Sequence, residues 1–111
     1  MRANLHRVQV VHIRDCPNTQ VATERMRSAL EAVGMGETPV ETVLVETPEQ
    51  VAAVTFAGSP TILVDDEDLF PTGATSRDLA CRVYVSETGM AGAPSADQIA
   101  DALRARIAEV Q

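Results

Sequence analysis

Cys16, Pro17, Asn18 and Thr19 stand where an apolar, β-branched run over residues 8–13 gives way to a helix-patterned run over residues 21–33. A cysteine just ahead of a proline that can open a helix falls at the helix N-cap. There, unpaired backbone N–H groups and the positive end of the helix dipole favour a thiolate over a thiol. Cys16 is therefore the candidate nucleophile. Thr19 can offer its hydroxyl or its backbone N–H to the sulfur, but it has no thiol with which to resolve a disulfide. Of the flanking charges, Asp15 opposes ionisation and Arg14 favours it, which leaves the sign of their combined effect open.

The remaining polar groups carry blander readings. Cys81 opens the run Cys81-Arg82-Val83-Tyr84-Val85, which reads as a fourth strand. If the third strand leads away from Pro60 and this one returns, Cys81 sits at the far end, about 13 Å off for four strand residues. A disulfide needs Cα atoms within about 7 Å. Direct pairing with Cys16 is thus disfavoured; Cys81 is expected to be a packed small hydrophobe, with a possible second thiol as the alternative. His12 precedes Cys16 across a strand-to-turn boundary with no third ligand close in sequence, and reads as a packed strand residue. Asp65, Asp66, Glu67 and Asp68 lack the alternating spacing and closing glutamate of a calcium loop and read as a solvated hairpin tip. No metal site is expected.

The elements that must hold these groups follow from periodicity. Residues 7–13 are nearly continuous in apolar character, as in a strand covered on both faces. Val21, Ala22, Met26, Ala29, Leu30 and Val33 then recur at three- and four-residue steps, with Gly34 and Gly36 ending the helix. Residues 40–45 read as a second strand. Thr47, Pro48 and Gln50 form the capping box of a short helix reaching about residue 55. Residues 61–64 make a third strand, residues 69–79 a long loop, and residues 81–85 the fourth strand. Ser95, with Gln98 three residues later, caps a last helix whose buried stripe is Ile99, Leu103 and Ile107. The order β-α-β-α-β-β-α makes an α/β protein with a four-stranded mixed sheet and helices packed on it.

Composition bounds the partners. The 111 residues are 45% hydrophobic, enough for one domain spanning 1–111 with a core that needs no disulfide framework or structural metal. Sixteen acidic side chains oppose nine basic ones, all arginine, for a net charge of −7. Such a surface repels nucleic acid and anionic membranes, and no stretch approaches the ~18 apolar residues of a membrane span. A cytoplasmic protein is the expectation.

Cys16-Pro17-Asn18-Thr19 at the start of the first helix, with Ser59-Pro60-Thr61 ahead of the third strand, resembles the thioredoxin-like superfamily. The resemblance runs over nearly the whole chain. It implies a thioredoxin-like fold in which Ser59-Pro60 is the cis-proline loop and lies at the same sheet edge as Cys16. It also implies a thiol-disulfide oxidoreductase, with Cys16 as nucleophile, Thr19 as support, and the Ser59 backbone beside Pro60 as the edge that pairs with substrate. Similarity to glutaredoxins further implies that Gly89, Gly92 and Ser95, in the glycine-containing turn and start of the last helix, hold a carboxylate of a thiol substrate. Thr19 stands where dithiol relatives carry a second cysteine, and the chain has no tryptophan. The implied mechanism is accordingly of monothiol type. The partner would be a disulfide-containing protein or a low-molecular-weight thiol, and no metal or organic cofactor is needed. Two other readings remain open: a redox-inactive binding or adaptor module, and a soft-metal or metalloid thiol site using Cys16, with or without Cys81.

Overall fold

Val8, Val10 and Val11 are almost fully enclosed because the strand that carries them, β1 (Val8–His12), has neighbours on both edges and helices on both faces. The computed structural model describes residues 7–71, 82–86 and 89–109. Along the chain, β1 is followed by α1 (Thr19–Ala32), β2 (Val40–Leu44), α2 (Pro48–Ala52), β3 (Thr61–Val64) and β4 (Glu67–Asp68). Then come β5 (Tyr84–Ser86), β6 (Gly89–Ala91) and α3 (Ala96–Glu109). β2, β1, β3 and β4 form one mixed sheet in that order. β1 runs parallel to β2, with Val10 opposite Thr42, and antiparallel to β3, with Val10 opposite Ile62.

Alternation along the strands sorts the core into two layers. Val8, Ile62 and Val64 face α1 and α3, packing with Met26, Ala29, Leu30, Ile99 and Leu103. Val11 and Leu63 face the other way, where Val45, Val51 and Phe56 close a second cluster beneath α2. The protein is therefore α/β, with a four-stranded mixed sheet and helices packed on it. Local chemistry sets the helix ends. Gly34, at φ +80°, closes α1 with Gly34 N–H donating to Glu31 O and Met35 N–H to Leu30 O, a Schellman pair. Thr47 and Gln50 cap α2 reciprocally, as Ser95 and Gln98 do for α3. Among the described residues, no helix is long and apolar enough to cross a membrane.

The fourth strand is not where residue patterning puts it. Asp65 and Asp66 both take left-handed backbone, at φ +51° and +70°. That two-residue turn pairs Val64 directly with Glu67, so β4 is the charged dipeptide Glu67–Asp68. Tyr84–Ser86, expected in the sheet, instead pairs with β6 as a separate hairpin. The acidic run is also less solvated than expected. Asp68 is nearly buried, and its Oδ2 receives Arg82 Nη1 at 2.8 Å.

Candidate functional site

Three segments meet at the carboxyl end of β1. The first is the turn that carries Cys16. Asp15, at φ +58°, reverses the chain after β1, and Thr19 N–H closes on Cys16 O at 3.3 Å. Helix α1 begins at Thr19 with Asn18 as its N-cap residue, and the Asn18 side chain makes no capping bond. Cys16 thus lies two residues ahead of the N-cap rather than on it. The tight turn explains the offset, since Pro17 falls inside it and cannot be the first helical residue. The helix start still serves the sulfur, because backbone N–H groups of Asn18 and Thr19 donate to it.

The second segment is the loop from Phe56 to Thr61. Thr61 is fully enclosed; its hydroxyl accepts Ala57 N–H and donates to Gly58 O, which folds the loop back on β3. The Ser59–Pro60 peptide is cis. Ser59 is completely buried, and its Oγ accepts Ile13 N–H at 3.0 Å. With a lone pair so occupied, the hydroxyl proton is free to point at Cys16, and the Ser59 side chain hydrogen-bonds the sulfur.

These contacts set the state of the thiol. Burial pushes the half-buried Cys16 thiol up, but a hydrogen bond from the Ser59 side chain, the Thr19 hydroxyl beside the sulfur, and the backbone N–H groups of Asn18 and Thr19 together outweigh it. The net result is a thiol held below the ordinary cysteine range. Ser59 and Thr19 contribute differently. Thr19 Oγ1 is buried and completes no hydrogen bond of normal geometry, so its favourable effect comes from a contact that has not closed on the sulfur. Ionisation would give that hydroxyl a stronger acceptor. Arg14, the electrostatic support offered by the sequence, is engaged elsewhere: its guanidinium pairs with Glu46, with Nε to Oε2 at 2.7 Å.

The third segment, Arg82–Tyr84, escaped sequence reasoning. Arg82 N–H donates to Ser59 O at 2.8 Å, and Tyr84 Oη donates to Pro60 O. The Arg82 guanidinium binds Asp68 and Phe70 O and lies 4.5 Å from the Tyr84 ring centroid, while Phe70 meets that ring edge-on. Burial pushes the Tyr84 phenol well up, so it stays a neutral donor. The faint sequence signal was Gly58: at φ +106°, a Cβ there would lie 2.9 Å from Arg82 Cβ.

Of the other expected residues, Gly92 is drawn to the site and Ser95 is held by its own helix. Asn18 covers Gly92 so closely that a Cβ there would fall 2.2 Å from Asn18 Nδ2. The Ser95 hydroxyl is taken by Gln98 N–H as the α3 cap, and Arg25 reaches Pro94 O at 3.2 Å. Cys81 lies outside the described residues. Its neighbour Arg82 donates its N–H to Ser59 O and belongs to no strand of the main sheet. Among the described residues, no group of three or more His, Cys, Asp or Glu side chains converges as a metal site would require. Comparison with known proteins brings no match: no family model, curated protein or solved structure aligns significantly with the chain.

Proposed function

We propose that this protein is a thioredoxin-like thiol-disulfide oxidoreductase of monothiol type, with Cys16 as the nucleophile. The observation that carries this reading is the convergence of the Ser59 hydroxyl and the N–H groups opening α1 on one half-buried sulfur, which favours its thiolate. The sheet order, with β1 and β2 parallel and β3 and β4 antiparallel, supports the thioredoxin-like part of the reading. In the first step the Cys16 thiolate attacks one sulfur of R–S–S–R, forming Cys16–S–S–R and releasing R–S⁻, which takes a proton from solvent. In the second step a low-molecular-weight thiolate R′–S⁻ attacks the R sulfur of that mixed disulfide, forming R–S–S–R′, and the electron pair of the breaking S–S bond returns to Cys16. Ser59 and the helix N–H groups stabilise the sulfur anion at the start of the first step and at the end of the second.

The test is turnover of a small mixed disulfide with a low-molecular-weight thiol as reductant. Turnover should exceed that of the same concentration of free cysteine and disappear in Cys16→Ser; turnover retained in that variant overturns the assignment. Mass analysis after treatment with a small disulfide checks the monothiol part. The expected product is an adduct on Cys16, whereas loss of two hydrogens without an adduct would make Cys81 the resolving thiol and replace the monothiol cycle.

A further inference from the structure

The edge at which a thioredoxin-like site would receive an extended substrate is already closed by this chain on its carbonyl side. Strand addition there needs the free backbone groups of the residue before the proline. Ser59 O instead accepts Arg82 N–H at 2.8 Å, and Pro60 O accepts the Tyr84 hydroxyl. The filling segment is not loosely laid. Arg82 and Tyr84 are each only 5% exposed. The Arg82 guanidinium is tied to Asp68 and Phe70 O and packs on the Tyr84 ring. Gly58 has no Cβ at the point where Arg82 presses closest; a Cβ there would lie 2.9 Å from Arg82 Cβ. Displacing the segment would strand a buried guanidinium and two buried carbonyl groups at once. Cys16, by contrast, keeps partial exposure.

Resting on the thiol-disulfide reading above, we propose that Cys16 exchanges with small disulfides that carry no backbone to pair, and that the Arg82–Tyr84 segment excludes extended polypeptide disulfides from the Ser59 edge. The exchange conserves S–S bonds: one breaks and one forms, and the electron pair leaves with the departing thiolate. Exclusion acts on which half of a mixed disulfide stays on Cys16. A small group can occupy the space over the sulfur, while a peptide half must find a partner for its N–H and C=O groups elsewhere.

The probe is one reagent offering both halves, a hexapeptide with a central cysteine joined through its disulfide to 2-mercaptoethanol. It is reacted with Cys81→Ser protein, so that Cys16 is the reacting thiol, and the two adducts are quantified by mass. Wild-type protein with peptide mapping of the Cys16 adduct serves if that variant does not fold. The urea-unfolded chain supplies the partition set by leaving-group chemistry alone. Native protein should favour the hydroxyethyl adduct over the peptide adduct by about tenfold relative to the unfolded chain, because a peptide half over the sulfur meets the Arg82–Tyr84 segment and a hydroxyethyl half does not. Equal partition, or enrichment of the peptide adduct, overturns the proposal. So does rapid hydrogen exchange of the Arg82 amide in the free protein. The partition is read from a single stoichiometric exchange and stands whether or not the protein turns over, so failure of this proposal is distinguishable from failure of the enzymatic reading.

Discussion

Ser59 reaches Cys16 through a hydroxyl whose lone pair is held by Ile13 N–H at 3.0 Å, so a fully buried serine on one loop directs its proton to a sulfur on another. The relationship couples the first strand, the turn after it and the loop before β3 into one unit. It also separates two roles that the sequence assigns together: the carbonyl of Ser59 is held by Arg82 N–H, and its side chain serves the thiol.

Ser59→Ala removes that donor and leaves Ile13 N–H without its acceptor. The alkylation rate of Cys16 near neutral pH should fall several-fold, and unfolding in urea should show a loss of about 1–3 kcal/mol for the orphaned N–H. Ser59→Thr keeps the hydroxyl and should restore most of the rate. An unchanged pH profile of alkylation in Ser59→Ala would remove Ser59 from the site.

Thr19→Val separates stability from reactivity. Thr19 Oγ1 is buried and unpartnered, so while Cys16 is protonated an isosteric methyl should leave the protein as stable or stabilise it by about 1 kcal/mol. The same change withdraws a group that favours the thiolate, and alkylation should slow. Parallel loss of stability and rate would instead mean that the hydroxyl is bonded in the resting protein.

The lowered thiol also fixes the sign of a pH effect. Between its folded-state pKa and the ordinary thiol value of about 8.5, the unfolded chain binds more protons at Cys16 than the folded one, so stability rises with pH there. The stability difference between wild type and Cys16→Ser should therefore grow in favour of the wild type as pH is raised through that window, then level off. Below the folded-state pKa the thiol contributes no such term. Urea titrations at a series of pH values read it directly, and a difference that shrinks with rising pH would contradict the lowered thiol.

Much of this arrangement is legible in the residues, for physical reasons that differ by element. β1 shows itself by unbroken burial, α1 by its Ala22-Met26-Ala29-Leu30 face, and α2 and α3 by capping boxes formed within four residues. Local chemistry suffices for each. β4 is illegible because two acidic residues carry no strand signal; its pairing comes from Asp65 and Asp66 adopting left-handed backbone. Tyr84 and Val85 do carry strand character, but they pair with Gly89–Ala91 while Arg82 binds Asp68 across the fold, contacts that periodicity does not encode. Cys16 and Ser59 are each recognisable alone, whereas the Ile13 N–H that orients Ser59 is a backbone group with no residue signature.

Gly58→Ala should unsettle the site from behind. The residue sits at φ +106°, and its new Cβ would meet Arg82 Cβ at 2.9 Å and Cα at 3.2 Å, which are not the yielding end of a side chain. Strained backbone of this kind costs about 1–3 kcal/mol, readable as a lower urea midpoint. Because the clash pushes Arg82 away from Ser59, Cys16 alkylation should change as well. A destabilised variant with the wild-type alkylation profile would show that Ser59 holds its place without the Arg82 segment.

Asp68→Asn tests the anchor of that segment. The Arg82 and Asp68 side chains are only 4% and 10% exposed, so removing the carboxylate leaves a buried guanidinium that still donates to Phe70 O. Loss of one partner from such a pair costs about 3–5 kcal/mol, while replacing both partners with apolar groups of similar size costs far less. The double variant Asp68→Leu with Arg82→Met should therefore be more stable than Asp68→Asn alone, since the Arg82 N–H that holds Ser59 O belongs to the backbone and survives the change. Its Cys16 alkylation profile should stay close to wild type. If the double variant loses the profile while remaining folded, the guanidinium itself, and not the backbone pairing, positions Ser59.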